Sequence, residues 1–432
     1  MLLTLRQQLS RFSHILQSEL FPILESELGE LSETARRLVA ALELIPLSRY
    51  IPSSQGWNGR PPCDRNTIAR AFVAKAIYNL PRTSDLLERL ASDEQLRLIC
   101  GWKRGETLPH ESTFSRAFAE FAQMELTQFV HQALIEETQK SRLIGHIARD
   151  STAIEARETF PLTKEQKAEI AAIKKPRRSL KGKKLGPAKR WKGGKAPRRP
   201  ASLDTRLHRQ RSMQLEDMLK ELPRNCSIGV KTSSKGHQQY WRGYKLHLDV
   251  ADGQIPISAV LTGASVHDSQ VAIPLATMSS SRVQYCYELM DSAYDAIEIL
   301  EHSRGMGHVP IADPKKPGGK KTGSFLHKLP RELSWAERER FAERTMVERV
   351  YARLKDEFGG RHVRVRGASK VMAHLMFGVG SDCGSTSEAR IRNIMTFSPS
   401  ISVSDPAGMA EPCAKTHRRR HYRVITMIRS PP

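Results

Sequence analysis

Acidic residues are in short supply in this chain of 432: 46 Asp and Glu stand against 69 Lys and Arg, a formal charge of +23. Such an imbalance argues against polycationic partners and attracts polyanions, of which nucleic acid is the commonest in a cell. Cysteine is also sparse. The six cysteines, at 63, 100, 226, 286, 383 and 413, include no C-x-x-C pair, so neither a zinc knuckle nor a dithiol redox site is expected. No apolar run approaches the roughly 18 residues of a spanning helix. The opening "MLLTLRQQLSRF" is interrupted by Arg6, Gln7 and Gln8 and does not read as a secretory signal. A cytoplasmic protein, associated with the nucleoid and not with a membrane, is the expectation. "PGGKKTG" (317–323) lacks the order of a phosphate-binding P-loop, and His267 beside Asp268 has no Ser or Cys elbow to activate.

What is present divides by period. Up to about residue 135, "SETARRLVAALELI" (32–45), "DRNTIARAFVAKAIYNL" (64–80), "SDLLERLASDEQLRLI" (84–99) and "HESTFSRAFAEFAQ" (110–123) repeat apolar residues at helical intervals, with Ser32, Asp64 and Ser84 placed as caps. Short helices joined by tight turns suit a DNA-reading module and equally suit a packing or dimerisation domain. From 143 the pattern becomes strand-like. "LIGHIARDSTAIEA" delivers Asp150 near a strand end, "QYWRGYKLHLDV" and "IPISAVLT" flank a hairpin turn at 251–254, and "VQYCYELMD" ends on Asp291 before a helix. Interleaved strands and helices predict a mixed sheet with helices packed on it.

Between these strands lies a segment of a different kind. Residues 164–200 carry fifteen Lys or Arg against two Glu, with no apolar period beyond their start, and read as a basic insertion that grips phosphates.

Three acids stand out by position. Asp150 and Asp291 close predicted strands, and Glu348 sits in "ERTMVERVYARLKDEF" (343–358), whose Val347, Val350, Tyr351, Leu354 and Phe358 mark one buried helix face. Any one of them would serve as a turn residue, a cap or an ion-pair partner. Together, in so basic a chain, they suit phosphodiester chemistry, in which two Mg²⁺ ions about 3.5 to 4 Å apart polarise the phosphate and activate the attacking oxygen. Mg²⁺ takes hard oxygen ligands and keeps several waters, so two or three carboxylates suffice.

These residues also carry a family resemblance. Phe341, Arg344, Glu348 and Lys355 are similar to the Y-x2-R-x3-E-x6-K signature of bacterial insertion-sequence DDE transposases of the IS-four and IS-five groups, with Phe in place of Tyr at the first position. "RDSTAIEA" (149–156) resembles the family's first-aspartate motif, "MDSAYDA" (290–296) its second, and "GYKLHLDVADGQIPISAVLTGASVHDSQVA" (243–272) its strand pair leading to a His-Asp element. The resemblance implies an α/β fold, a ribonuclease-H-like mixed sheet flanked by helices, with a helical N-terminal DNA-binding domain over 1–135. The catalytic domain would cover 136–378, interrupted by a basic insertion at 164–210. It further implies a catalytic and metal-binding triad of Asp150, Asp291 and Glu348, holding Mg²⁺ with Mn²⁺ as substitute. Arg344 and Lys355 would contact DNA, joined by Lys174, Lys175, Arg177, Arg178, Lys181, Lys183, Lys184, Arg198 and Arg199 of the insertion. The implied partner is double-stranded DNA, both terminal inverted repeats and target, held by a homodimer that cuts and joins strands. A catalytically inactive DNA-binding remnant or repressor is the alternative.

After "VMAHLMFGVG" (371–380) the apolar pattern stops where the family continues a helix. Residues 379–432 read as an irregular basic tail, a change that a shifted reading frame would produce.

Overall fold

The computed structural model describes residues 15–52, 63–158, 205–232, 237–314 and 332–396. The N-terminal region is helical: α1 (Phe21–Leu28), α2 (Glu33–Leu44), α3 (Arg65–Ile77), α4 (Thr83–Ser92), α5 (Glu94–Cys100), α6 (Glu111–Gln123) and α7 (Leu126–Gln139). Local chemistry sets their starts. Ser32 accepts from Ala35 N, and Asp64 accepts from Asn66 N and Thr67 N, each satisfying amides that a helix start leaves open. The stretch 84–99, expected as one helix, is two. Asp93 takes extended backbone angles, ends α4, and its carboxylate caps α5 through Leu96 N at 2.9 Å. The cap expected of Ser84 is supplied instead by Asp85, whose carboxylate accepts from Arg82 N at 3.0 Å.

The second region alternates strands and helices: β1 (Leu143–Glu155), α8 (Arg206–Gln210), α9 (Leu215–Glu221), β2 (Ser227–Thr232), β3 (Gln238–Ala251), β4 (Ile255–Gly263), α10 (Ser269–Arg282), β5 (Gln284–Met290), α11 (Ile297–Gly305) and β6 (Val309–Ala312). Helices α12 (Trp335–Phe341), α13 (Thr345–Asp356) and α14 (Ala368–Thr396) follow. The six strands form one sheet in the order β2-β3-β1-β5-β6, with β4 also on β3. The β3–β4 hairpin turns at 251–254, as the Asp-Gly pair predicts, with Gly253 at φ 87°. β1 runs antiparallel to β3 and parallel to β5, which is parallel to β6. This is the mixed sheet with helices packed on it that the strand pattern predicts, and it has the ribonuclease-H-like architecture that the family resemblance implies.

Residue parity assigns the sheet two buried faces. Ala148, Ile154, Tyr244, Leu246, Leu248 and Val250 join a core that includes Leu38, Phe72, Phe114, Val350, Leu354 and Phe377, so one apolar cluster links the N-terminal helices, α13, α14 and the sheet. Phe72 is its hinge point, with ring centroids 4.9 Å from Phe118 and 5.7 Å from Phe377. The other face carries Arg149, His247, Asp249, Ser258 and Thr262, all buried beneath α10 and α11. There Arg149 donates to Asp249 at 2.8 Å and to Glu288 at 2.9 Å, and Ser279 and Ser303 donate to the same two carboxylates.

Helix α14 runs on past residue 378, where the sequence pattern changes. Val379, Ser381, Asp382 and Cys383 are buried, and Asp382 receives the Arg353 guanidinium at 2.7 Å. Residues 397–432 of the expected tail lie outside the described residues.

Candidate active site

Asp150 lies inside β1 and not at its end, since pairing with β3 continues to Glu155. Asp291 follows β5 directly and caps a short 3-10 turn, its carboxylate accepting from Ala293 N at 2.9 Å. Because Arg149 pairs with Met290 in the last rung of the parallel ladder, Asp150 of β1 and Asp291, the first residue past β5, come next to each other. Burial, opposed by the Ser151 amide, pushes the Asp150 carboxyl up to about 6, with Asp291 and Asp268 adding to the rise and Arg344 opposing it. Asp291 is raised as well, first by burial and then by Asp268 against the pull of the Ala293 amide. Two carboxyls pushed in this direction mark a place where negative charge lacks compensation.

The third acid comes from the helix. Glu348, with a side chain 55% exposed, lies near the start of α13 and is joined to Asp150 through one guanidinium: Arg344 donates to Glu348 at 2.9 Å and to Asp150 at 3.4 Å. Phe341, at the position where the family signature has Tyr, lies under that guanidinium with its ring centroid 5.7 Å away. Lys355 points to the same strand and donates to Thr152 at 2.7 Å. Arg344, Glu348 and Lys355 are therefore drawn along β1, although Arg344 belongs to the 3-10 turn preceding α13. Among the described residues no group of three or more His, Cys, Asp or Glu is gathered closely enough to hold a metal ion. The Arg344 cation stands between two of the three candidate acids. The donor set itself, partly desolvated carboxylates without thiols, is of the kind hard divalent cations take.

Sequence reasoning left the roles of Tyr351 and Arg149 unread, and marked Asp268 only as part of a His-Asp element. Tyr351, taken only as part of an apolar stripe, inserts its hydroxyl between β1 and β3 beside Asp150, donating to Asp150 O at 2.6 Å and accepting from Leu248 N at 3.1 Å. Asp268, just before α10, receives Ser151 Oγ at 2.9 Å and Lys245 Nζ at 3.0 Å. Burial raises its carboxyl, but His247, Lys245 and the Ser151 hydroxyl together hold it below the usual range. The other unread feature is the Arg149 network on the opposite face. A signal existed for it: "KLHLDV" alternates Lys245, His247 and Asp249 with apolar residues, a polar face that helices then cover. The insertion residues Lys174, Lys175, Arg177, Arg178, Lys181, Lys183, Lys184, Arg198 and Arg199 lie outside the described residues.

An acid within β1 and another directly after the parallel strand β5 stand on a mixed, helix-covered sheet of the ribonuclease-H-like α/β class. The family model described as transposase DDE domain matches residues 142–380, and a second, described as a transposase domain, matches residues 26–120. The chain belongs to the DDE transposase family. No curated protein and no solved structure matches it. Among the described residues no helix is long and apolar enough to cross a membrane.

Proposed function

We propose that this transposase binds the terminal inverted repeats of an insertion sequence, cleaves the DNA at their ends and joins the freed ends to target DNA, with Asp150, Asp291 and Glu348 as its catalytic acids. The observation that carries this reading is the side-by-side placement of Asp150 and Asp291, with Glu348 tied to Asp150 through Arg344. Asp150, Asp291 and Glu348 would hold Mg²⁺, or Mn²⁺ in its place; when bound, the ions supply charge neutralisation at the phosphate and activation of the attacking oxygen. Arg344 then leaves the carboxylates for the phosphate of the bound strand, while Lys355 and the Lys- and Arg-rich residues 174–199 hold the backbone on either side. In cleavage a water oxygen bonds to phosphorus, the bond to the 3′ oxygen breaks, and a 3′-hydroxyl and a 5′-phosphate result. In joining, the oxygen of that 3′-hydroxyl bonds to the phosphorus of a target phosphodiester, and the bond from that phosphorus to the target's own 3′ oxygen breaks. The proton lost by the attacking hydroxyl is matched by one taken up by the departing oxygen, which leaves as a new 3′-hydroxyl. Tyr351 keeps Asp150 and the Glu348 helix at a fixed separation through both steps. A homodimer would bring the two ends together.

The test is a strand-transfer assay on the element's own ends with wild type and Asp291→Asn. The expected result is joined product from wild type, with binding but no cleavage from the variant. Binding without cleavage by wild type would instead support a catalytically inactive DNA-binding protein.

A further inference from the structure

The sheet face that carries Asp150 extends well beyond the helix that covers it. On that face β1 presents Asp150, Thr152 and Ile154, and β3 continues in the same parity through Leu246 and Tyr244 to Arg242 and Tyr240. Helix α13 covers the first part, through Tyr351 at Leu248 and Lys355 at Thr152. Past Gly243 the strand leaves the β1 ladder and pairs with β2, Ile228 opposite Arg242 and Val230 opposite Tyr240. Here the face is open: Tyr240 is 66% exposed, Ile228 52% and Val230 50%. The reverse face is closed, because the Trp241 ring lies so close over Gly229 that a Cβ there would sit 2.3 Å from it.

Open apolar residues in a row are costly to leave in water and commonly mark a contact surface. The surroundings here are basic. Arg242 is exposed on β3 with the parity of Tyr240, and Lys355 rests on Thr152 farther along the same face, while Lys231 of β2 has the parity of Gly229 and belongs to the reverse face. A face that is apolar along its middle and cationic at its margins matches the sugar edges and phosphates of duplex DNA.

We infer that the β2–β3 ribbon is a DNA contact surface, in which Tyr240, Val230 and Ile228 pack on the sugar edges of the duplex while Arg242 beside them meets a phosphate. This rests on the proposed cleavage site at Asp150. From Leu248, opposite Asp150, to Tyr240 is eight residues of extended chain, about 26 Å at roughly 3.3 Å per residue. At about 3.4 Å per base pair, the ribbon meets the duplex some seven or eight base pairs from the cleaved phosphate.

The experiment is site-specific photo-crosslinking of the full chain on terminal-repeat DNA, with p-benzoylphenylalanine replacing Tyr240 in one protein and Lys355 in another. The expected adduct from position 240 maps seven or eight base pairs from the cleavage position, and that from position 355 maps beside it. Adducts from 355 with none from 240, or a 240 adduct only to protein, overturn the ribbon assignment and leave the active-site reading intact. Failure of both to reach DNA, together with no cleavage by wild type, overturns both.

Discussion

The Tyr351 hydroxyl lies against the β1–β3 ladder at Asp150. It donates to Asp150 O and accepts from Leu248 N, so its removal takes a hydrogen bond from two backbone groups in the interior. Tyr351→Phe is expected to lower stability by about 1–3 kcal/mol in urea unfolding and to reduce cleavage more than DNA binding. A variant with wild-type stability and turnover would show the hydroxyl to be incidental. Arg149 makes a second prediction at this scale. Fully buried between Asp249 and Glu288, it is the counter-charge without which burial would protonate or expel both acids. Burial raises Glu288, but Arg149, aided by hydrogen bonds from His308, Ser303 and Tyr285, keeps it well below the usual carboxylate range. Arg149→Leu should destabilise by about 3–5 kcal/mol, the cost of breaking a buried pair by removing one partner. Loss under 1 kcal/mol in denaturant titration would mean that the two acids find other compensation.

Among the elements, β3 depends most on one residue. Gly243 stands where the strand passes from β1 to β2, at φ 153°, and a Cβ there would lie 2.0 Å from Ile154 O. Gly243→Ala should therefore cost more than about 2 kcal/mol, as overpacking against backbone does. Gly305→Ala, at the end of α11 with nothing within 4 Å, should instead be neutral or stabilising by up to about 1 kcal/mol. Equal melting temperatures for the two variants would contradict the close approach. Elements of this kind were only partly legible. The hairpin, β5 with Asp291 after it, and most helix starts follow from turn residues, alternation and caps, which act over a few neighbours. The split of 84–99 hung on one side chain, Asp93, choosing to cap rather than continue. Asp150 in mid-strand could not be foreseen, because the length of β1 is set by its pairing with β3 about a hundred residues later. Asp150, Asp291 and Glu348 were visible as position-marked acids, whereas the Arg344 bridge and the Tyr351 insertion depend on how α13 lies on the sheet.

For the whole molecule, the shared core means that helices and sheet should unfold together, and buried histidines give that unfolding a pH signature. His131 donates to Pro256 O and His374 to Gly359 O, as neutral rings do. Burial pushes His131 down to about 3 and His374 down to about 4 from an ordinary 6.5. As pH falls below 6.5 the unfolded chain takes up protons that the folded one refuses, so stability declines until the folded values are reached. Each ring contributes about 3 kcal/mol across that window, and the urea midpoint should fall steeply between pH 6.5 and 4. A flat midpoint over that range would show that these rings are not neutral in the fold. The central claim, however, concerns three acids separated by some two hundred residues of chain and meeting at one place. Its most direct test is titration of the protein with Mn²⁺, followed by the electron spin resonance of free ion, for wild type, Asp150→Asn, Asp291→Asn and Glu348→Gln. Saturable binding by wild type that weakens at least tenfold in each variant is the predicted result; binding unchanged in any of the three would remove that residue from the site and contradict the account.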